Sequence, residues 1–387
     1  MGTQHKYMIV SGEASGDRHA AKLVAALREI DPTSEFFGAA GHRMRDAGVE
    51  AVVRSDELSI VGLIEIGRAL PMFLRAYRDL ISAANLRTPD VVILVDFPDF
   101  NLKLAKALKK KGFRVVYYIS PQLWAWRKYR ISAVRKYVDL LIAILPFEKQ
   151  WYAEHGVKHV EYVGSPLARE VHPTVEKAEF CRKHAIDPNR PIISLLPGSR
   201  HKEIVRILPA MLETVKRVAI ETPENQFIIA AADGRSRREI ESHIESFRST
   251  NEKIANSIWI VENETYDCLN ASDAAAVASG TATLETGIIG TPMAIVYKTS
   301  ELNYKLLEPL IDVEHYGLIN LIAEERLAAE LIQDDFTPET LCAELMRLLK
   351  PEVNAEMRAK LKLTADKLGS GGASKRAAEA IVKLFGS

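Results

Sequence analysis

The strongest constraint on the fold is a repeated one: short, mostly apolar runs separated by stretches with apolar residues at helical spacing. In the first half the runs are 7–10, 36–39, 90–95, 114–119, 140–145 and 160–163, with another strand from Val52 onward. In the second half they are 192–196, 226–231, 257–261, 274–278 and 293–297. A strand that is apolar throughout has to be buried on both faces. Strands of that kind alternating with helices close into a parallel sheet covered on both sides. Around Ser165-Pro166 the pattern breaks into a polar segment with Pro173, Pro188 and Pro191, which reads as a linker. A chain of 387 residues is also too long for one ordinary core. The expected fold is therefore α/β, with two Rossmann-like doubly wound domains facing a cleft, residues 1–166 and 167–365. From Leu327 onward the chain reads as a helical C-terminal tail, and residues 366–387 as a helix that packs back on the first domain.

Composition removes several classes of function. Hydrophobic residues make up 47% and charged residues 26%, the balance of a globular chain in water. Fifty-one basic residues match 51 acidic ones, so no global charge draws the chain to nucleic acid, and none is expected as a partner. Cys181, Cys268 and Cys342 lack metal-ligand spacing and are expected as reduced thiols. Residues 1–7 do not have the layout of a secretory signal, so the expected location is cytoplasmic.

In open parallel sheets, ligands bind outside the carboxyl ends of the strands. Two strand ends in the second half carry anion-binding chemistry. In Ala278-Ser-Gly-Thr-Ala-Thr-Leu-Glu285 a buried strand turns through Ser-Gly-Thr into a helix. The unpaired amides of Gly280, Thr281 and Ala282 are then available to a phosphate or diphosphate. Glu285 stands one helical turn in, where a carboxylate can accept from ribose hydroxyls. In Leu195-Leu-Pro-Gly-Ser-Arg200, Ser199 and Arg200 follow another strand. A cation at a helix start opposes the helix dipole unless an anion is bound nearby, so Arg200 is read as a bidentate diphosphate ligand. In the first half, the Gly12 to Gly16 spacing is not the dinucleotide fingerprint, which speaks against NAD.

These segments together resemble a known family. Ser11-Gly-Glu-Ala-Ser-Gly-Asp17, Val95-Asp-Phe-Pro-Asp-Phe-Asn101, Ser120-Pro-Gln-Leu-Trp-Ala-Trp126, Leu145-Pro-Phe-Glu148, the two anion-binding segments and Asn320 in Gly317-Leu-Ile-Asn-Leu321 resemble lipid-A-disaccharide synthase, in the same order over residues 7–380. The resemblance implies a two-Rossmann-domain glycosyltransferase of the GT-B type. Its reaction joins UDP-2,3-diacylglucosamine to 2,3-diacylglucosamine 1-phosphate through a β(1→6) bond and releases UDP. It also implies that Glu285 holds the ribose and that Asn320 lies at the nucleotide site. One departure is Gly164-Ser165-Pro166, where the family commonly has His after the Gly, so no role of that His carries over. Dimerisation through exchanged C-terminal segments belongs to the resembled family, and nothing in these helices derives it.

An α-linked donor giving a β-linked product requires inversion, hence one displacement and one base. Asp96, at the carboxyl end of a buried strand, is the expected base, and Asp99 fits the role of capping the following helix better. A Mg²⁺ site at Asp96 and Asp99 is disfavoured because the Asp-Xaa-Asp pattern is absent and Arg200 with a helix N-terminus can neutralise the leaving group. No metal or other cofactor is expected. Glu13, Ser15, Asp17, Asp99 and Asn101 are weaker candidates for the sugar cleft, with helix capping an equal alternative for Asp17. Trp124 and Trp126 read either as a sugar or acyl wall or as packing.

Acylated substrates imply contact with a membrane. The apolar stretch containing Ile60, Val61, Leu63 and Ile64, and then Leu70, Met72, Phe73 and Leu74, is punctuated by Arg68 and Arg75. It is expected to meet the anionic inner face of the inner membrane, as a peripheral contact, although an ordinary amphipathic core helix explains the same pattern. Two other functions remain open: a UDP-N-acetylglucosamine 2-epimerase-like enzyme and a non-catalytic nucleotide-sugar-binding protein.

Overall fold

The computed structural model describes residues 4–56, 66–301, 304 and 313–385. The chain divides into two compact units, Met1–Pro166 with Ser370–Ser387, and Leu167–Gly369.

The first unit is built on seven parallel strands: β1 (Lys6–Ser11), β2 (Glu35–Ala40), β3 (Glu50–Arg54), β4 (Val91–Val95), β5 (Val115–Tyr118), β6 (Leu140–Ala143) and β7 (Val160–Tyr162). They lie in the order β3-β2-β1-β4-β5-β6-β7. The central strand β4 is buried along its whole length. Its residues alternate between two cores: Val92 and Leu94 face one, and Val91, Ile93 and Val95 the other. The second core also takes in Leu23 and Leu27 of the helix Ala14–Ile30 and Ala377, Ala378 and Ile381 of the helix Ala373–Val382. That burial, together with an Arg376 Nε to Val163 carbonyl hydrogen bond of 2.8 Å, fastens the end of the chain to the first unit.

The second unit has six parallel strands: β8 (Ile192–Leu196), β9 (Gln226–Ala231), β10 (Ile258–Glu262), β11 (Ala274–Ala278), β12 (Met293–Tyr297) and β13 (Ala329–Ile332), in the order β10-β9-β8-β11-β12-β13. Counted within the unit this is the doubly wound order 3-2-1-4-5-6, and β3 to β6 of the first sheet reproduce it. Both sheets therefore reverse direction at one place, between β1 and β4 and between β8 and β11. These are the two doubly wound halves expected from the alternation of apolar runs.

One local expectation changes. Residues from Leu327 are not helical throughout, because Ala329–Ile332 pairs in parallel with β12 as an edge strand. Ala, Glu and Leu favour helices, and pairing overrides that preference here. The helix after β4 starts at Pro98. The stretch Leu70 to Leu74 belongs to the helix Ile66–Arg87, in line with the amphipathic-helix alternative. Met72 and Phe73 pack against the core, while Leu70 and Leu74 are 56% and 46% exposed, one turn apart. Arg75 is exposed and pairs with Asp79 at 3.8 Å. Ile60, Val61, Leu63 and Ile64 lie outside the described residues, as does the side chain of Arg68. Among the described residues no helix is long and apolar enough to cross a membrane.

Candidate active site

The switch point of the second unit opens into a pocket of about 340 Å³. One wall is the turn after β8. Gly198 sits there at φ +106°, and a Cβ would collide with the Glu203 side chain, so only glycine allows the turn. Arg200 ends the turn and caps the helix His201–Glu221. Its side chain is exposed and lies 3.5 Å from Glu203 Oε1. Glu203 Oε2 accepts from the amides of Ser199 (3.1 Å) and Arg200 (3.2 Å). A carboxylate thus occupies the amides that an anion would otherwise take.

The opposite wall is the turn after β11. Gly280 has φ +155° and ψ −160°, a conformation essentially closed to side-chain-bearing residues, and nothing crowds its α-carbon. It leads into the helix Thr281–Ile289, whose first turn has no side-chain cap. Amides left in this way, with the positive end of a helix dipole behind them, suit an oxyanion. Ser279 Oγ donates to the Tyr316 carbonyl at 3.0 Å, which ties this turn to the loop before Gly317. Glu285 lines the pocket one turn further on, and its Oε1 accepts from Tyr266 Oη at 3.0 Å. Ser199, Arg200, Gly280, Thr281, Ala282 and Glu285 thus share one pocket. Asn320 is not among its walls. It is fully buried, with its amide bonded to Ala328 N and O and to Glu330 Oε1, all at 2.8–2.9 Å. Glu330 also accepts from the amides of Tyr316 and Gly317. Asn320 therefore braces the loop that Ser279 contacts.

The switch point of the first unit holds Asp96. Asp96 and Phe97 are both left-handed, at φ +48° and +51°, an arrangement that costs about 1–3 kcal/mol per residue unless its surroundings enforce it. Here they do. Asp96 N donates to the Tyr118 carbonyl (3.0 Å), while the Asp96 carbonyl accepts from Tyr117 Oη (2.6 Å) and Asn101 Nδ2 (2.7 Å). The Phe97 ring covers Gly12 so closely that a Cβ there would overlap it, which draws the loops after β1 and β4 together. The Asp96 carboxyl is pushed up to about 6, first by burial and then by the negative charge of Glu13, against a smaller opposing effect of the Phe97 amide. A carboxyl poised there is a base at neutral pH.

The other candidates separate clearly. Asp17 caps the helix His42–Asp46, accepting from Gly41 N (2.8 Å), Arg43 N (2.9 Å) and Met44 N (3.3 Å). Ser15 is exposed in the first turn of the helix Ala14–Ile30. Asn101 is fully buried and acts on the Asp96 backbone. Asp99 pairs with Arg127 and Arg130. Trp124 is packing: it is buried, edge-on to Phe147, with Nε1 donating to Glu148 at 3.1 Å. Trp126 is 37% exposed beneath the Arg127 guanidinium, 4.1 Å from the ring centre. Sequence reasoning missed Tyr117, Tyr266 and Glu203. Only Glu203 had a local signal, a carboxylate three residues after the cap position.

The model of the lipid-A-disaccharide synthetase family matches residues 7–384. The lipid-A-disaccharide synthase of Geobacter metallireducens is 40% identical over 389 residues, covering 100% of this chain and 99% of its own. That of Myxococcus xanthus is 41% identical, covering 98% of this chain and 97% of its own. A UDP-GlcNAc 2-epimerase from Neisseria meningitidis, solved with UDP-GlcNAc bound, superposes with a TM-score of 0.60 at 14% identity over 98% of this chain and 100% of its own. That likeness is one of fold, whereas the matches in sequence run the full length of the chain. The chain belongs to the lipid-A-disaccharide synthetase family.

Proposed function

We propose that this chain is an inverting glycosyltransferase that condenses UDP-2,3-diacylglucosamine with 2,3-diacylglucosamine 1-phosphate, giving the β(1→6) disaccharide 1-phosphate of lipid A and UDP. The observation that carries the reading is Asp96, a carboxyl held by its own backbone at a switch point and raised to about 6. The acceptor's 6-hydroxyl attacks the anomeric carbon, the bond to the UDP oxygen breaks, and Asp96 takes the hydroxyl proton. Charge develops on the leaving diphosphate, and Arg200 with the uncapped amides after Gly280 is suited to receive it. Glu285, steadied by Tyr266, is the proposed ribose ligand. These cationic and dipolar groups support a reaction without a metal ion.

We further propose that the first unit works at the cytoplasmic face of the inner membrane as a peripheral protein. Leu70 and Leu74 stand exposed one turn apart beside Arg75 and Arg78, a face suited to acyl chains and anionic headgroups. The 2-epimerase reading rests on a likeness of fold alone.

Asp96→Asn tests the enzyme against a binding protein. Turnover is expected to fall about 10²–10⁴-fold while UDP affinity measured by calorimetry stays unchanged. Transfer at the wild-type rate would remove Asp96 as the base.

A further inference from the structure

Backbone strain in the first unit is concentrated. Of the nine non-glycine residues with positive φ among the described residues, Asp96, Phe97, Ile119 and Arg127 all follow β4 or β5. Strain of this kind gathers where side chains have to be aimed. Asp96 and Phe97 aim the base. Arg127, at φ +56°, aims a guanidinium that no step of the proposed reaction uses.

Arg127 lies over the face of Trp126 and directs Nη1 at both oxygens of Asp99, at 2.9 and 3.2 Å. Arg130 donates to the same carboxylate. Two guanidiniums therefore converge on one acid, which leaves a surplus positive charge. The side chains of Arg127 and Arg130 are 31% and 17% exposed, and that of Asp99 is 62% exposed. The cations are thus set into the protein while their partner faces solvent. Paired guanidiniums present a fork that matches a phosphate as well as a carboxylate, and stacking on an indole keeps one of them in plane. The cluster adjoins the base. Asp99 is three residues after Asp96, and buried Tyr117, bonded to the Asp96 backbone, feels the charges of Asp96, Asp99 and Arg130 together.

We infer that Arg127 and Arg130 form the subsite for the phosphate monoester of the acceptor sugar, with Asp99 holding both guanidiniums in position until that phosphate arrives. This rests on the proposed transferase reading. The base engages the hydroxyl at one end of the acceptor ring, and the arginine pair engages the phosphate at the other. No covalent step is involved; the pair reads the charge and sets the orientation of the ring.

The test compares two acceptors, 2,3-diacylglucosamine 1-phosphate and the same sugar with a free 1-hydroxyl, with both turnover and direct binding measured in detergent. Wild type should prefer the phosphorylated acceptor about 10–100-fold in kcat/KM, the range for hydrogen bonds to a charged group. Arg127→Ala and Arg130→Ala should reduce that preference towards one through KM, with kcat on saturating acceptor and UDP affinity unchanged. Arg127→Lys should recover part of it, and Asp99→Asn should keep or widen it. Wild-type discrimination in the alanine variants, equal losses on both acceptors, or no discrimination by wild type would each overturn the assignment. Phosphatidylglycerol vesicles supply the other source of a phosphate. Reduced co-sedimentation of the alanine variants, with acceptor discrimination intact, would assign the pair to a lipid headgroup and overturn the subsite. If wild type binds the phosphorylated acceptor selectively but transfers to neither, the transferase reading fails and the subsite stands.

Discussion

At the scale of the residue, the proposed base Asp96 trades stability for a raised pKa. Its folded-state pKa of about 6 exceeds the ordinary 3.8, so the native protein binds that proton more tightly than the unfolded chain does. The resulting contribution to stability is complete below about pH 4 and is lost as pH rises through about 6. At neutral pH the ionised carboxylate costs on the order of 3 kcal/mol. Asp96→Asn should therefore raise the melting temperature at pH 7.5 while lowering transfer, and the gain should shrink through pH 5 and disappear below about pH 4. A lower melting temperature at pH 7.5 would contradict the strained-base account. The same carboxyl predicts an acid limb in kcat/KM with an apparent pKa of about 6, flat above pH 7. Because the charge of Glu13 helps raise the carboxyl, Glu13→Gln should move that limb to lower pH; a limb that stays in place would separate Glu13 from the base. Arg200 belongs to this scale too. Its side chain is exposed, so Arg200→Ala should weaken UDP binding with little change in melting temperature, and unchanged affinity would take it out of the diphosphate site.

At the scale of the element, the working unit of the second half is a strand that ends in a turn only glycine can make. Gly280→Ala meets no clash, so its effect is backbone strain alone, about 1–3 kcal/mol. The turn should relax away from φ +155° and its first-turn amides should lose their alignment, which calorimetry should record as weaker UDP binding. Unchanged affinity would show that those amides do not hold the diphosphate. The apolar runs made twelve of the strands legible, most clearly central ones such as β4, β8 and β11, which are buried along their whole length. The thirteenth, Ala329–Ile332, was not legible because its residues favour a helix and only its pairing with β12 makes it a strand. The two turns that share the pocket were legible because Gly, Ser, Thr and Arg at a strand end carry their chemistry locally. Which helix Asp17 caps and what Asn320 holds were not, since their partners lie 24–27 and 8–10 residues away. Tyr117 was equally hidden, because its hydroxyl reaches the Asp96 carbonyl from a neighbouring strand.

At the scale of the whole molecule, the chain uses one topology twice and gives each copy a different task. The reversal between β1 and β4 carries the proposed base and, beside it, the arginine pair. The reversal between β8 and β11 carries the pocket proposed for the nucleotide diphosphate. The measurement that tests this account most directly is a transfer assay on the purified protein in detergent. It would supply UDP-2,3-diacylglucosamine and 2,3-diacylglucosamine 1-phosphate in the presence of EDTA, and follow UDP and disaccharide by mass. The account predicts both products in equal amounts without added metal. Tight UDP binding with no disaccharide, with or without magnesium, would contradict it.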